Sequence, residues 1–257
     1  MNTIDEKLTA FRRLLEIMDE LREKCPWDQK QTNLSLRNLT IEETYELADA
    51  ILENKDDEIK KELGDLMLHI VFYAKIGSEK SKFDMADILN SLNEKLIYRH
   101  PHVFGDVKVN DQEDVKKNWE ELKMREGKKV LGGVPGSLPA MIKSNRIQEK
   151  ARAVGFDWEE KGDVWEKVRE ELSELEEEVK KGDPEKMESE FGDLLFSVIN
   201  AARLYGMDPE TALEKTNKKF IKRFNYLEKN TLEKGKLLKD MSLEEMNEIW
   251  EEAKNYE

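Results

Sequence analysis

Six positions in the first half of this 257-residue chain return in the second half with type and spacing intact. Glu43, Glu46, Glu62, Gly64, Asp65 and Leu66 recur 128 positions later as Glu171, Glu174, Glu190, Gly192, Asp193 and Leu194. Further on the offset becomes 124, and Asn93, Lys95 and Arg99 return as Asn217, Lys219 and Arg223, while Trp119-Glu120-Glu121 is echoed by Trp250-Glu251-Glu252. A period this long means one structural unit used twice. Between the copies, residues 126–139 (EGKKVLGGVPGSLP) concentrate glycine and proline, which reads as a linker joining a first unit, 1–125, to a second, 140–257.

Each copy reads as helical. Strand signals are nearly absent, and helix-start pairs recur: Thr40 with Glu43, Asp163 with Glu166, Ser242 with Glu245, and an N-cap before proline at Asp183-Pro184 and Asp208-Pro209. Leu63, Leu66, Met67, Ile70, Val71 and Ala74 fall at helical spacing and predict one apolar face, as do Leu194, Leu195, Val198, Ile199 and Ala202. The fold class expected is all-α. A formal charge of −14 disfavours nucleic acid or an anionic membrane as partner. No run of about 18 apolar residues exists and the first residues lack the order of a signal peptide, so a cytoplasmic protein is expected. Cys25 is the single cysteine, which excludes an internal disulfide and suggests a buried small side chain.

The repeated positions carry chemistry. In each copy E-E-x-x-E is followed fifteen residues later by E-x-G-D, and residues three or four apart on a helix share a face. The intervening residues, with turns at 54–57 and 181–184, are long enough to end one helix and bring up the next antiparallel, so that two carboxylate pairs face each other. Four such groups repel unless a cation sits between them. Oxygen-only donors favour a hard ion, Mg²⁺ with Mn²⁺ as a possible substitute, and Mg²⁺ commonly completes its shell with substrate phosphate. The candidate metal-binding and catalytic residues are therefore Glu43, Glu46, Glu62 and Asp65 in copy one and Glu171, Glu174, Glu190 and Asp193 in copy two. Lys95 with Arg99, and Lys219 with Arg223, stand one turn apart as an anion clamp. Gly64 and Gly192, costly inside helices, suggest close approach by another backbone or a ligand.

Other candidates carry a plainer reading. His100 and His102 fit a loop beside Pro101, His69 a hydrogen-bonded core histidine, and Trp119 and Trp250 either stack on a base or pack a terminal helix. P-loop, Rossmann, zincin and di-iron signatures are missing from the sequence.

The segments CPWDQKQT, LTIEETYELADAI, ELGDLMLHIVFYA and RHPHVFGDV in the first half, and SLPAM, VGFDW, EELSELEEE, EFGDLLFSVINAAR and NKKFIKRF in the second, resemble the MazG family of nucleoside triphosphate pyrophosphohydrolases over essentially the full length. That resemblance implies two tandem MazG-like helical units, a homodimer of helix bundles, Mg²⁺ dependence, and hydrolysis of nucleoside triphosphates to monophosphate and pyrophosphate. It also implies metal ligands at Glu171, Glu174, Glu190 and Asp193, and nucleotide contacts at Lys219, Arg223 and Trp250. Copy one has Leu96 and His100 where copy two has Phe220 and Phe224, which separates the two copies as candidates for turnover. The alternatives are the same fold acting on phosphoribosyl-ATP or dUTP, and a non-catalytic helical protein that senses nucleotides.

Overall fold

The computed structural model describes all residues except 110, 112, 113, 116, 117, 120, 121, 123–128, 159–161, 234, 236 and 257. Among them every regular element is helical, and the chain divides into two compact units, Met1–Val115 and Lys116–Glu257. Residues 126–128 of the expected linker lie outside the described residues, and 129–139 are turns and irregular chain.

In the first unit, α1 (Ile4–Lys24) leads through a 3-10 turn into α2 (Asn33–Leu52), α3 (Asp56–Glu79), α4 (Met85–Arg99) and the short α5 (Pro101–Phe104). Helix α3 packs against α2 along its length and against α1. Their shared core holds Met18, Leu36, Val71, Phe72, Ala74, Ile76 and Met85. Arg22 pins the loop after α1: it pairs with Glu79 at 2.6 Å and donates to the carbonyls of Asp28 and Gln31.

The second unit runs α6 (Ala140–Ala153), α7 (Asp163–Lys181), α8 (Pro184–Leu204), α9 (Pro209–Glu233) and α10 (Leu243–Ala253). Helices α7 and α8 share the most extensive contact among the described residues, α6 packs on α8, and α9 on α10 and α6. Gln148 donates from Nε2 to the Phe196 carbonyl at 2.8 Å, tying α6 to α8. Arg203 and Asp157 form a largely shielded ion pair that fastens the loop before α7 to the end of α8.

The turns joining the acid-bearing helices fall where the sequence placed them. Asn54 takes φ 52° between α2 and α3, and Gly182 takes φ 72° between α7 and α8, the left-handed conformation that lets a helix end and the chain reverse. Asp183 caps α8 by accepting from the amides of Glu185 and Lys186, Asp208 accepts from the Thr211 amide at 2.7 Å, and Ser242 forms a capping box with Glu245.

Other expectations need correction. Thr40 caps nothing: α2 begins eight residues earlier in a Thr32–Ser35 box, and the Thr40 hydroxyl bonds the Leu36 carbonyl and the Tyr73 hydroxyl. Asp163 is the first residue of α7, where the cap position is Gly162 and carries no side-chain bond. The long apolar face of α3 splits in two: Val71 and Ala74 enter the core, whereas Leu63, Met67 and Ile70 are 40–52% exposed. In α8, Ile199 is buried and Leu195 and Val198 stand outside. A helix face broader than one contact leaves its far edge uncovered. Cys25 is half-buried at the C-terminal cap of α1. His69 is buried, but its Nδ1 has no hydrogen-bond partner, and burial lowers its proton affinity. No described helix is long and apolar enough to cross a membrane.

Candidate metal and phosphate site

Each helical hairpin gathers acids from both of its arms. In the first unit Glu43 of α2 and Glu62 and Asp65 of α3 offer oxygens that all lie within 4.8 Å of one another. In the second, Glu171 and Glu174 of α7 and Glu190 of α8 do the same. Glu46 and Asp193 stand outside these groups of three, although their charges still act on them: Glu46 on Glu43, and Asp193 on Glu190.

The innermost member of each trio is buried, Glu62 at 3% exposure and Glu171 at 7%. One oxygen of each is answered by a lysine: Lys61 Nζ lies 2.8 Å from Glu62 Oε1, and Lys167 Nζ lies 2.7 Å from Glu171 Oε1 and 2.9 Å from Glu170 Oε1. The second oxygen of Glu62 is shielded and has no partner. A buried, half-answered carboxylate beside two others is a donor set short of positive charge, and it fits a hard divalent ion.

Sequence reasoning missed three residues here. Lys167 could have been found, since it precedes Glu170 and Glu171 by three and four positions. Lys61 could not, because neighbours on a helix do not face each other. Glu178 extends the acid face of α7 by one turn; its Oε1 is held by Lys181 at 2.7 Å, its Oε2 is shielded without a partner, and its charge acts on Glu190.

Both sites raise a carboxyl above the ordinary glutamate value of 4.5. Burial is the first cause for Glu43, followed by the charges of Asp65, Glu46, Glu62 and Glu42. For Glu190 burial again leads, followed by Glu174, Asp193, Glu171 and Glu178. An acid that holds its proton more tightly in the folded state favours folding while protonated and opposes it once ionised. The contribution of these two groups to stability, in protein without metal, is therefore present below about pH 4.5 and lost as pH rises through the raised values. E43Q and E190Q are expected to raise the metal-free melting temperature at pH 7 and to lose that advantage near pH 4, as read by circular dichroism melts.

The basic positions differ between units. Lys95 is exposed and Arg99 half-buried on α4; Lys219 and Arg223 repeat this on α9. Beside the second pair stands an aromatic group. Trp250 lies 5.0 Å from Phe220, Phe220 stacks on Phe224 at 6.1 Å, and the Arg223 guanidinium sits 5.7 Å over the Trp250 ring. Those planar faces suit a nucleobase. At the matching place in the first unit, His100 Nδ1 and the Leu96 carbonyl are 2.7 Å apart, and His102 packs against His100 with ring centres 5.6 Å apart. Of the echo of the Trp250 segment, Trp119 is half-buried in helical chain, and Glu120 and Glu121 lie outside the described residues.

Gly64 and Gly192 receive no neighbour: nothing lies within 4 Å of a Cβ built at either, so no described backbone makes the expected close approach. With open space and helical geometry, G192A is expected to stabilise the metal-free chain by up to about 1 kcal/mol, measured by urea unfolding.

Residues 31–104 and 161–227 both match the MazG nucleotide pyrophosphohydrolase domain, one segment in each unit. Over 95% of this chain and 95% of its own length, a Thermotoga maritima protein described as nucleoside triphosphate pyrophosphohydrolase/pyrophosphatase MazG is 46% identical. The Escherichia coli K12 nucleoside triphosphate pyrophosphohydrolase is 40% identical over 100% of this chain and 99% of its own. YabN, an uncharacterized Bacillus subtilis protein, is 46% identical over 98% of this chain and 54% of its own. With the domain matched in both units and full-length relatives at this identity, the chain belongs to the MazG nucleotide pyrophosphohydrolase family.

Proposed function

We propose that this protein is a Mg²⁺-dependent hydrolase that cleaves nucleoside and deoxynucleoside triphosphates to monophosphate and pyrophosphate in the cytoplasm, with Mn²⁺ as a substitute ion. The observation that carries the reading is the convergence of three carboxylates from two antiparallel helices within 4.8 Å, made twice. Glu171, Glu174 and Glu190, with Asp193 beside them, would hold the ion in the second unit; Glu43, Glu62 and Asp65, with Glu46, in the first. A bound Mg²⁺ supplies Lewis-acid polarisation of a phosphoryl oxygen and lowers the pKa of water.

The chain's own groups do the rest. Lys219 and Arg223 neutralise the polyphosphate and the leaving pyrophosphate, and Trp250 with Phe220 and Phe224 receives the base. A carboxylate oxygen of the acid group accepts the proton of a water attacking in line; the phosphoanhydride bond between the α and β phosphorus breaks, and pyrophosphate leaves. Lys95 and Arg99 are the corresponding anion-binding groups of the first unit, which has no matching aromatic trio at Leu96 and His100.

The same reading makes the protein a homodimer. Leu63, Met67 and Ile70 on α3 and Phe191, Leu195 and Val198 on α8 occupy equivalent registers and are all at least 40% exposed. An apolar stripe repeated in both halves fits a self-complementary contact with a second copy. Residues 126–139 serve as the linker between units at 1–125 and 140–257.

The test is a panel of common triphosphates, dUTP and phosphoribosyl-ATP incubated with enzyme and Mg²⁺, with products resolved by ³¹P NMR. Monophosphate and pyrophosphate are expected. Orthophosphate with diphosphate as first products, or binding without turnover, overturns the reading. The Thermotoga relative's description includes pyrophosphatase, so the same spectra are followed for later conversion of pyrophosphate to orthophosphate.

A further inference from the structure

The acids of the two units correspond position for position, but the cations that answer them do not. In the second unit the ammonium comes from Lys167 on α7, and its counterpart in the first unit is Leu39, which packs against the core. In the first unit it comes from the opposite arm, from Lys61 on α3, and the counterpart of Lys61 is Ser189. The two hairpins meet the same excess of negative charge from different helices.

Lys61 has an unusual route to its partner. Consecutive residues on a helix diverge by about 100°, so its side chain must bend back over the turn to place Nζ 2.8 Å from Glu62 Oε1. Glu46 and Asp65 also act on it by charge, so the ammonium stands in the field of the whole acid group. Glu62 is the most buried acid of the first unit's trio, and its second oxygen has no partner.

We propose that Lys61 is a built-in competitor for the divalent ion of the first unit: its ammonium occupies Glu62 Oε1 and sets its own charge against the ion, which is left with Oε2 alone until the ammonium leaves. This rests on the metal reading proposed above. Lys167 is placed differently. It also contacts Glu170 at 2.9 Å, so it keeps one carboxylate when Glu171 turns to a metal. Release from Glu62 costs Lys61 its partner, and the first unit binds metal more weakly than the second.

Mn²⁺ titration followed by EPR, on the full chain carrying E174Q and E190Q to silence the second unit, tests this without any turnover assay. K61M in that background is expected to tighten Mn²⁺ binding about three- to tenfold, the scale of a charge-assisted hydrogen bond discounted for the exposure of the lysine. K60M removes an equal charge one residue away, from a lysine paired with Asp57 at 3.1 Å, and should change affinity less than twofold. K61R should keep the parent affinity. If K61M binds no tighter than K60M, or K61R behaves like K61M, Lys61 is no competitor. If the parent binds no Mn²⁺ at all, the metal reading of the first unit fails instead. Lys61 is largely exposed, and Mn²⁺-dependent shifts in melting temperature for K61M and K61Q give a second readout of the same difference.

Discussion

Substituting Glu174 and Glu190 together by glutamine is expected to lower kcat of the whole chain by at least about 10²-fold, with helix content unchanged. Loss of a group that only orients a metal ligand typically costs about 10–100-fold, and here two ligands themselves lose their charge. These two are the right pair to change. Glu174 is exposed and Glu190 half-buried, so both tolerate an isosteric amide, whereas replacing Glu171 would leave Lys167 without its closest partner. The size of the drop also measures the first unit. With Leu96 and His100 in place of Phe220 and Phe224, and with Lys61 proposed as a competitor, the first unit is expected to contribute little turnover, so E43Q with E62Q should change steady-state kcat less than twofold. Equal activity in both units would instead cap the loss from either double variant near twofold. Steady-state kinetics on both variants, at saturating Mg²⁺, decides between these outcomes.

The second large effect concerns assembly. If the proposed homodimer forms through the apolar stripes of α3 and α8, M67K combined with L195K is expected to turn it into a monomer at about 10 μM by light scattering, weakening association at least about 10²-fold. Both residues are exposed in the single chain, at 40% and 57%, so lysine there disturbs no core and the monomer should keep its helical circular dichroism. An apolar stripe recruited into a contact between copies cannot accept a charge on each side without a desolvation cost. A variant that stays dimeric would show that these stripes meet something other than a second copy.

Much of this was legible in the chain itself, because the repeat compared each position with a diverged copy of itself. The acids on both hairpin arms, the turns at Asn54 and Gly182, and the caps at Asp183, Asp208 and Ser242 could be read from spacing and residue type. Thr40 misled because a threonine three residues before a glutamate looks the same inside a helix as at its start; the actual cap, Thr32, pairs with Ser35. The apolar faces were read as one contact each, since periodicity reports what is apolar and not what covers it. The Lys61 contact lay beyond sequence reasoning, because it depends on a side chain bending against the helical spacing rule.

The placement of both carboxylate pairs on a single pair of consecutive helices, joined by a turn of three residues in the first unit and two in the second, bears on how the protein reaches its native state. Contacts between near neighbours in sequence form early, since little chain entropy is lost in closing so short a loop. The three converging carboxylates of each hairpin can thus be brought together on a nascent pair of helices while the helices that follow are still being made.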